Sequence, residues 1–339
     1  MAGLCRHAVL EGHCATFFLR LVWSKRASYW AKSRRGYSDT TSISTITRSS
    51  NSNSVHLTHV DSVDSLNRLT PATPPKLHRF YVHPECNLKD SGPGTFVHLS
   101  KEESQHATRT LRLKPGNYVE LCDGQGITVT GELVRSEGGS SLRDKKVVVQ
   151  LVTVPTLQPV DPWHWTVAVG CGSLKGGRAD WLVEKATELG AAALLPLSTA
   201  RSPISESSKS SEFSREGRWR RVANAAMKQC LRAYELTIQP STTISELCES
   251  TLIPRKSLAW VASQWCDAPA AQAFEGTPDA TGSQRSGILI IGPEGDFTEN
   301  ELKMMMAAGA RAVNLGPLRL RTETAAIAML SFARLLHVN

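Results

Sequence analysis

Short apolar segments alternate with amphipathic ones along the second half of this chain, and this alternation limits the folds that the chain can adopt. Segments such as 165–169 and 258–262 are apolar at successive positions, which is typical of strands that are buried on both faces. Between such segments, apolar residues recur with the period of an amphipathic helix. Because parallel strands need crossover connections, we predict an α/β fold in which helices cover both faces of a parallel sheet. The predicted strands are 165–169, 193–197, 258–262, 288–291 and 312–315, and the predicted helices are 179–189, 218–231, 299–308 and 324–337.

A different pattern precedes this region, with short strand-like segments at close spacing. Segment 123–126 reads Asp-Gly-Gln-Gly, which is the composition of a hairpin turn. Ser100 and Glu103 have the spacing of a capping box, which predicts one helix carrying Arg109 and Arg112. We therefore predict a small β-barrel with one helical insert. Its predicted strands are 79–82, 96–99, 118–122, 127–134 and 146–154.

Proline-containing segments at 71–75 and 155–162 divide the chain into three parts: a transit peptide with a disordered linker at 1–75, the barrel at 77–155 and the α/β domain at 162–339. The first sixty residues contain eight Arg and Lys against two acidic residues, which accounts for most of the net charge of +8. Bulk charge is therefore weak evidence for nucleic-acid binding. Segment 35–38 resembles a mitochondrial processing site, with cleavage after Tyr37. We expect a mitochondrial matrix address, with the chloroplast stroma or a dual address as the alternative.

The eight cysteines are scattered, without a CxxC pair or a metal-like Cys/His cluster. We expect reduced thiols and no bound metal. No apolar run approaches the roughly 20 residues of a membrane span, so we expect a soluble protein without a membrane partner.

Two glycine- and proline-containing loops each follow a predicted strand and precede a predicted helix. The first is Gly-Pro-Glu-Gly at 292–295, and the second is Gly-Pro-Leu-Arg-Leu-Arg at 316–321. The carboxyl ends of strands are where open α/β sheets bind ligands, and glycine lets the backbone approach a ligand closely. Arg319 and Arg321 precede a helix N-terminus, where cations are unfavourable. A functional role explains their placement better than capping of the helix does.

Here the chain resembles the bacterial-type ribosomal RNA uracil-N3 methyltransferase family of the SPOUT superfamily. The matching motifs are 292–301 and 315–325, with support from 175–181, 184–190, 229–232 and 79–82, so the resemblance covers about residues 77–338. It implies a PUA-like barrel that binds RNA and a deep trefoil knot in the C-terminal domain. It also implies bent S-adenosylmethionine in the knot, a homodimer, and ribosomal RNA of the small subunit as substrate, free or in the assembled subunit. Chains are not knotted as a rule, so the knot depends on the resemblance alone.

The resemblance, together with the two loops, assigns three sets of residues. Arg321 is the expected catalytic cation that stabilises the developing uracil anion or a phosphate, and Glu323 accepts a proton or orients Arg321. The cofactor is expected to bind Ile291, Gly292, Pro293, Glu294, Gly295, Leu315, Gly316, Leu318, Arg319 and Leu320. The expected RNA contacts are Arg79, Arg109, Arg112, Lys175, Arg178, Arg201, Arg218 and Arg232.

The sequence departs from the family pattern at three places. Asp296 replaces the usual glycine after the first loop, Ala200 replaces an acidic residue before Arg201, and 263–286 is a long segment that we expect to be a surface insertion. Asp296 keeps open a second function, an RNA-binding ribosome assembly factor without methylation. A third reading, a dinucleotide-binding turn at 170–176, is weak because no acidic residue follows the next strand.

Overall fold

A computed structural model describes residues 77–137, 146–170, 177–203, 209–250, 253, 258–264, 266 and 285–336. The predicted leader at 1–75, Lys175 and most of the predicted insertion lie outside these residues, so the expectations about them stay predictions. Within the described ranges no helix has the length and apolar character needed to cross a membrane. The five cysteines found there form no disulfide, and no group of three metal-ligating side chains occurs among the same residues.

The N-terminal part of the described chain forms one mixed sheet in the order β1-β3-β4-β5-β2, with β6 paired to β4. β1 pairs with β3 in parallel, and the other pairs are antiparallel. Phe80, Leu121 and Val149 lie in its core and are completely buried. This sheet confirms the predicted strands, but its description as a PUA-like barrel stays a prediction. The strands are β1 (His78–Tyr81), β2 (Phe96–His98), β3 (Tyr118–Cys122), β4 (Ile127–Glu137), β5 (Lys146–Leu151) and β6 (Thr156–Leu157).

The predicted helical insert is shorter than expected. Helix α1 spans Lys101–Gln105 and continues as one π-helical turn, His106–Thr110. Ser100 Oγ accepts a hydrogen bond from the backbone N–H of Glu103 at 3.2 Å, as a capping box requires. The Glu103 carboxylate instead pairs with Lys228, a residue distant in sequence. The prediction that Arg112 lies on this helix was wrong, because Arg112 follows the π turn in a left-handed conformation.

The C-terminal part forms a seven-stranded sheet in which every pair is parallel, in the order β10-β8-β7-β12-β11-β13, with β9 paired to β8. This confirms the predicted α/β fold. Because all strands run in one direction, their carboxyl ends lie at the same edge of the sheet. The strands are β7 (Trp163–Gly170), β8 (Ala193–Ser198), β9 (Thr237–Ile238), β10 (Thr242–Thr243), β11 (Leu258–Ala262), β12 (Arg285–Ile291) and β13 (Arg311–Val313).

Helices cover both faces of this sheet, as predicted. Val167 and Val169 of β7 share a core with α2, α3 and α6, whereas Ala168 of the same strand shares a separate core with α4 and α5. Adjacent strand residues point to opposite faces, so the two cores lie on the two sides of the sheet. The trefoil knot stays a prediction. The helices are α2 (Gly177–Glu188), α3 (Lys209–Cys230), α4 (Ile244–Glu249), α5 (Glu299–Ala307) and α6 (Thr322–Leu336).

The turn between β3 and β4 joins the two sheets through backbone hydrogen bonds. Gly126 N–H donates to Ala233 O at 3.1 Å, and Glu235 N–H donates to Gly124 O at 2.9 Å. The Tyr234 hydroxyl adds a hydrogen bond to Gln158 O at 2.8 Å. We call these residues the inter-sheet clamp. In it, backbone groups of the β3–β4 turn form hydrogen bonds with backbone groups of the segment that precedes β9.

Three tryptophans stack on one face of the parallel sheet. The Trp165 ring lies 5.0 Å from that of Trp163 and 5.2 Å from that of Trp260. Gly287 of β12 is paired with Trp165, and a Cβ at that position would lie 2.1 Å from a Trp165 ring carbon. Only glycine leaves space for this stack.

We therefore expect Gly287→Ala to lower the free energy of unfolding by about 2–3 kcal/mol, since a well-packed core cannot absorb an added methyl group. Urea denaturation monitored by tryptophan fluorescence measures the change. Gly177→Ala is the matched control, because a Cβ there would meet nothing within 4 Å. An unfolding midpoint for Gly287→Ala equal to that of the wild type would contradict the packing argument.

Candidate active site

A cavity of about 380 Å³ opens at the carboxyl edge of β11, β12 and β13. Its walls come from three segments, each of which follows one of these strands. This is the position at which α/β sheets bind ligands, and the volume lies within the range of small-molecule sites. The lining residues are Ala262, Ser263, Gln264, Ile291, Gly292, Pro293, Glu294, Asp296, Asn314, Leu315, Gly316, Leu318, Arg319, Leu320, Arg321, Thr322 and Ala325.

Both Gly-Pro loops thus line one cavity. Of the residues predicted to bind a cofactor, only Gly295 is absent from the walls; it lies beside them and packs against Arg201. The contribution of Ala262, Ser263 and Gln264 was not predicted. The strand order, which places the end of β11 next to the ends of β12 and β13, is needed to find them.

Neighbouring elements hold the first loop tightly. A Cβ on Gly170, the last residue of β7, would lie 2.7 Å from the backbone nitrogen of Pro293. From the other side, the Thr322 hydroxyl at the start of α6 donates to Gly292 O at 3.1 Å. The loop is therefore placed by close backbone contact with β7 and by a buried hydrogen bond to α6.

Asp296 ends this loop in a left-handed conformation with φ of 63°. Its backbone N–H donates to Pro293 O at 2.8 Å, and its Oδ1 accepts from Phe297 N–H at 2.7 Å. Aspartate is one of the few non-glycine residues that adopt this conformation readily, because its short side chain forms local hydrogen bonds. The departure from the family's glycine thus preserves a turn that the backbone requires.

We expect Asp296→Ala to destabilise the chain by about 1–2 kcal/mol, because alanine keeps the left-handed strain and loses the hydrogen bond to Phe297. Asp296→Gly should cost less, because glycine adopts the conformation without strain. Thermal and urea unfolding of the two variants test this order. Equal destabilisation would show that the side-chain hydrogen bond alone matters.

Three arginines from distant parts of the chain meet at Glu294 and Gly295. Arg178 Nη1 lies 2.9 Å from Glu294 Oε1. Arg201 donates to Gly295 O, and Arg319 donates to Glu294 O. These side chains form a basic rim, Arg178, Arg201 and Arg319, next to the cavity. Two of them were predicted to contact RNA and the third to contact a cofactor, and the structure brings all three to one loop.

Ala200 occupies the position of the acidic residue in the family pattern. Its backbone N–H donates to Glu301 Oε1 at 2.8 Å, while Glu301 Oε2 completes the capping box of α5 with Thr298. Glu301 is buried and links the segment before Arg201 to α5. The Glu301 carboxylate of α5 therefore lies next to the residue before Arg201, where the family pattern has an acidic side chain.

The two predicted catalytic residues flank the first residue of α6. Arg321 is exposed and lines the cavity, and its side chain has no hydrogen bond or ion pair within the part of the chain that the structure describes. Glu323 is only 7% exposed, and its Oε2 has no hydrogen-bond partner among the described residues. Arg321 therefore offers an available cation to a ligand in the cavity. Glu323 is not among the residues that line the cavity, and it forms no ion pair with Arg321 in the described structure. Their roles stay predictions.

The remaining predicted RNA contacts differ in accessibility. The Arg79 side chain is 7% exposed, pairs with Glu120 at 2.6 Å and donates to Arg232 O. Arg232 is half-buried and donates to Thr187 O at 3.3 Å, and burial lowers the pKa of its guanidinium. The geometry favours structural roles for both. Arg109 and Arg112 are exposed, and Arg218 pairs with Asp180 while its side chain stays 56% exposed.

Comparisons with known proteins agree with this geometry. Residues 161–334 match the model of an RNA methyltransferase domain. The chain is 32% identical over 249 residues to ribosomal RNA small subunit methyltransferase E of Mycobacterium tuberculosis, covering 73% of this chain and 87% of the relative. The Bacillus subtilis protein of the same name is 26% identical over 233 residues, covering 69% and 87%.

A solved structure shows the same fold. Ribosomal RNA small subunit methyltransferase E from Neisseria gonorrhoeae, solved with bound S-adenosylmethionine, has a TM-score of 0.62 and 24% sequence identity, and the match covers 77% of this chain and 98% of that one. The likeness extends over both sheets of the described structure.

Proposed function

Because this chain belongs to the ribosomal RNA small subunit methyltransferase E family, we propose that it uses S-adenosylmethionine to methylate N3 of a uridine in small-subunit ribosomal RNA. The main support for this proposal is that both Gly-Pro loops and Arg321 line the same cavity. Backbone at 291–294 and 315–320 offers polar groups for an adenosine and a methionine moiety, and Leu315, Leu318 and Leu320 offer apolar contacts. The residues present therefore fit the cofactor.

Methyl transfer to N3 requires that the uracil lose a proton as the new bond forms. Bound S-adenosylmethionine supplies the electrophilic methyl group. Arg321, exposed at the cavity wall, stabilises the negative charge that develops on the uracil ring. Glu323 receives the proton or orients the Arg321 guanidinium. The basic rim holds a phosphate of the target nucleotide, which must be unpaired or flipped out of its helix.

We extend the proposal to the assembly and location of the enzyme. The chain forms a homodimer with a trefoil-knotted catalytic domain, and it acts in the mitochondrial matrix, with the chloroplast stroma or both organelles as the alternative. Exposed apolar side chains near the end of α6, Leu335 and Leu336, support a subunit interface on that face of the sheet. The composition of the leader supports import.

The direct test is transfer of labelled methyl groups to small ribosomal subunits that lack the modification, followed by nucleoside mass spectrometry. We expect 3-methyluridine. Cofactor binding without methylation of any small-subunit RNA would refute the proposed substrate. Absence of cofactor binding would instead support the alternative, an RNA-binding ribosome assembly factor.

Gly170→Ala tests the placement of the first loop. The added Cβ cannot avoid the Pro293 backbone without moving the loop, so we expect S-adenosylmethionine affinity to fall about tenfold, as a loop shift of this kind costs about 1–3 kcal/mol. Isothermal titration calorimetry measures the affinity. Gly217→Ala, with nothing within 4 Å of its Cβ, is the control. Unchanged cofactor affinity in folded Gly170→Ala would place the cofactor elsewhere.

A further inference from the structure

A second cavity, of about 460 Å³, lies between the first sheet and α3. It shares no lining residue with the candidate active site. Its walls include the end of β1, the start of α1 and one face of α3. We call it the junction cavity, defined by Tyr81, His83, Glu103, Arg221, Asn224 and Lys228.

Glu103 is the unusual residue of this cavity. It is 9% exposed, and one side of its carboxylate pairs with Lys228. Its other oxygen, Oε2, has no hydrogen-bond partner among the described residues. A buried acceptor without a donor is unfavourable. Oε2 is itself enclosed, so the carboxylate, which belongs to the cavity wall, must turn toward the cavity to accept an N–H group from a ligand.

The other walls offer groups that suit a nucleotide. Arg221, Asn224 and Lys228 recur at helical spacing along one face of α3, and Arg221 is exposed. A guanidinium in this position can contact a phosphate. Tyr81 and His83 provide aromatic rings, and unpaired RNA bases stack on such rings while side chains read their edges.

We propose that the junction cavity binds one unpaired nucleotide of the RNA substrate, whose base donates an amino group to Glu103 and whose phosphate contacts Arg221. This inference rests on the proposed function, since it assumes an RNA substrate, but it adds a site that selects sequence outside the catalytic cavity. A carboxylate accepts from the amino group of cytosine. Uracil presents a carbonyl oxygen at the same position, so the cavity favours cytidine over uridine.

The test uses the full chain and two fluorescein-labelled tetranucleotides, oligocytidylate and oligouridylate, with affinities measured by fluorescence anisotropy. We expect the wild type to bind the cytidine oligomer roughly tenfold more tightly. Glu103→Met combined with Lys228→Met removes both charges, so that neither is left buried without its partner. This double variant should abolish the preference for the cytidine oligomer. Glu103→Gln, a milder change, should reduce it. Arg221→Ala should weaken both oligomers equally and lower the salt dependence by about one unit of slope.

Glu299→Met with Lys303→Met is the matched control, because this ion pair lies on α5 and does not line the cavity. It should keep the cytidine preference. Equal binding of the two oligomers by the wild type, or an undiminished preference in folded Glu103→Met with Lys228→Met, would overturn the proposal. Methyl transfer by the wild type is measured in parallel: if it fails while the Glu103-dependent preference persists, the proposed reaction is wrong and the nucleotide site stands.

Discussion

Arg321→Ala is expected to reduce the rate of methyl transfer by about 10²- to 10³-fold, the usual effect of removing a group that stabilises charge in a transition state. Cofactor affinity should change little. Arg321 lines the cavity, and its side chain has no partner within the described part of the chain, so its removal should leave the loops in place. Single-turnover methylation of small subunits gives the rate, and calorimetry gives the affinity for S-adenosylmethionine.

Arg319→Ala is the matched control for this variant. The Arg319 guanidinium donates to Glu294 O, so its loss should loosen the first loop and weaken cofactor binding more than it slows the chemical step. If Arg321→Ala lowered cofactor affinity and left the single-turnover rate unchanged, Arg321 would be a cofactor-binding residue and not a catalytic residue.

Glu323→Gln is expected to slow methylation by about 10²-fold, the lower end of the effect of a positioned proton acceptor. The amide nearly preserves the size of the buried side chain but cannot take up a proton. Methylation rates across a pH range, together with circular dichroism to verify folding, measure the effect. A rate close to that of the wild type would exclude Glu323 from the proton transfer and from orienting Arg321.

The double variant Arg321→Ala with Glu323→Gln distinguishes the two proposed roles of Glu323. If Glu323 acts by orienting Arg321, the double variant should be no slower than Arg321→Ala alone. If it accepts the proton independently, the two effects should multiply. The same substrates and single-turnover conditions serve for all four proteins of this cycle.

Local periodicity predicted most of the elements because each has enough residues to display its pattern. Strand β11 was predicted to the residue, and α2 and β8 within two residues at each end. Helix α3 starts at Lys209, nine residues before the prediction, because its first turns are polar and show no apolar period. Strands β6, β9 and β10 have two residues each, which is too short for any pattern.

The candidate site was less accessible to sequence reasoning because it depends on strand order. The two Gly-Pro loops could be recognised from their residues, and both line the cavity. Ser263 and Gln264 carry no motif and enter the site only because β11 lies between β12 and β13. Arg79 illustrates the same dependence on tertiary structure: the sequence shows a basic residue in a predicted RNA-binding module, but not its ion pair with Glu120 of the neighbouring strand β3.

The inter-sheet clamp fixes the distance between the two candidate sites. Gly124, Gly126 and Tyr234 join the two sheets by main-chain and hydroxyl hydrogen bonds, so a nucleotide bound in the proposed junction site would lie at a fixed distance from the proposed reaction centre. An RNA that satisfies both places must span that distance with its own fold. Target choice would then depend on the distance between two unpaired nucleotides in the folded RNA. A uridine with the right neighbouring sequence but the wrong spacing would not be methylated.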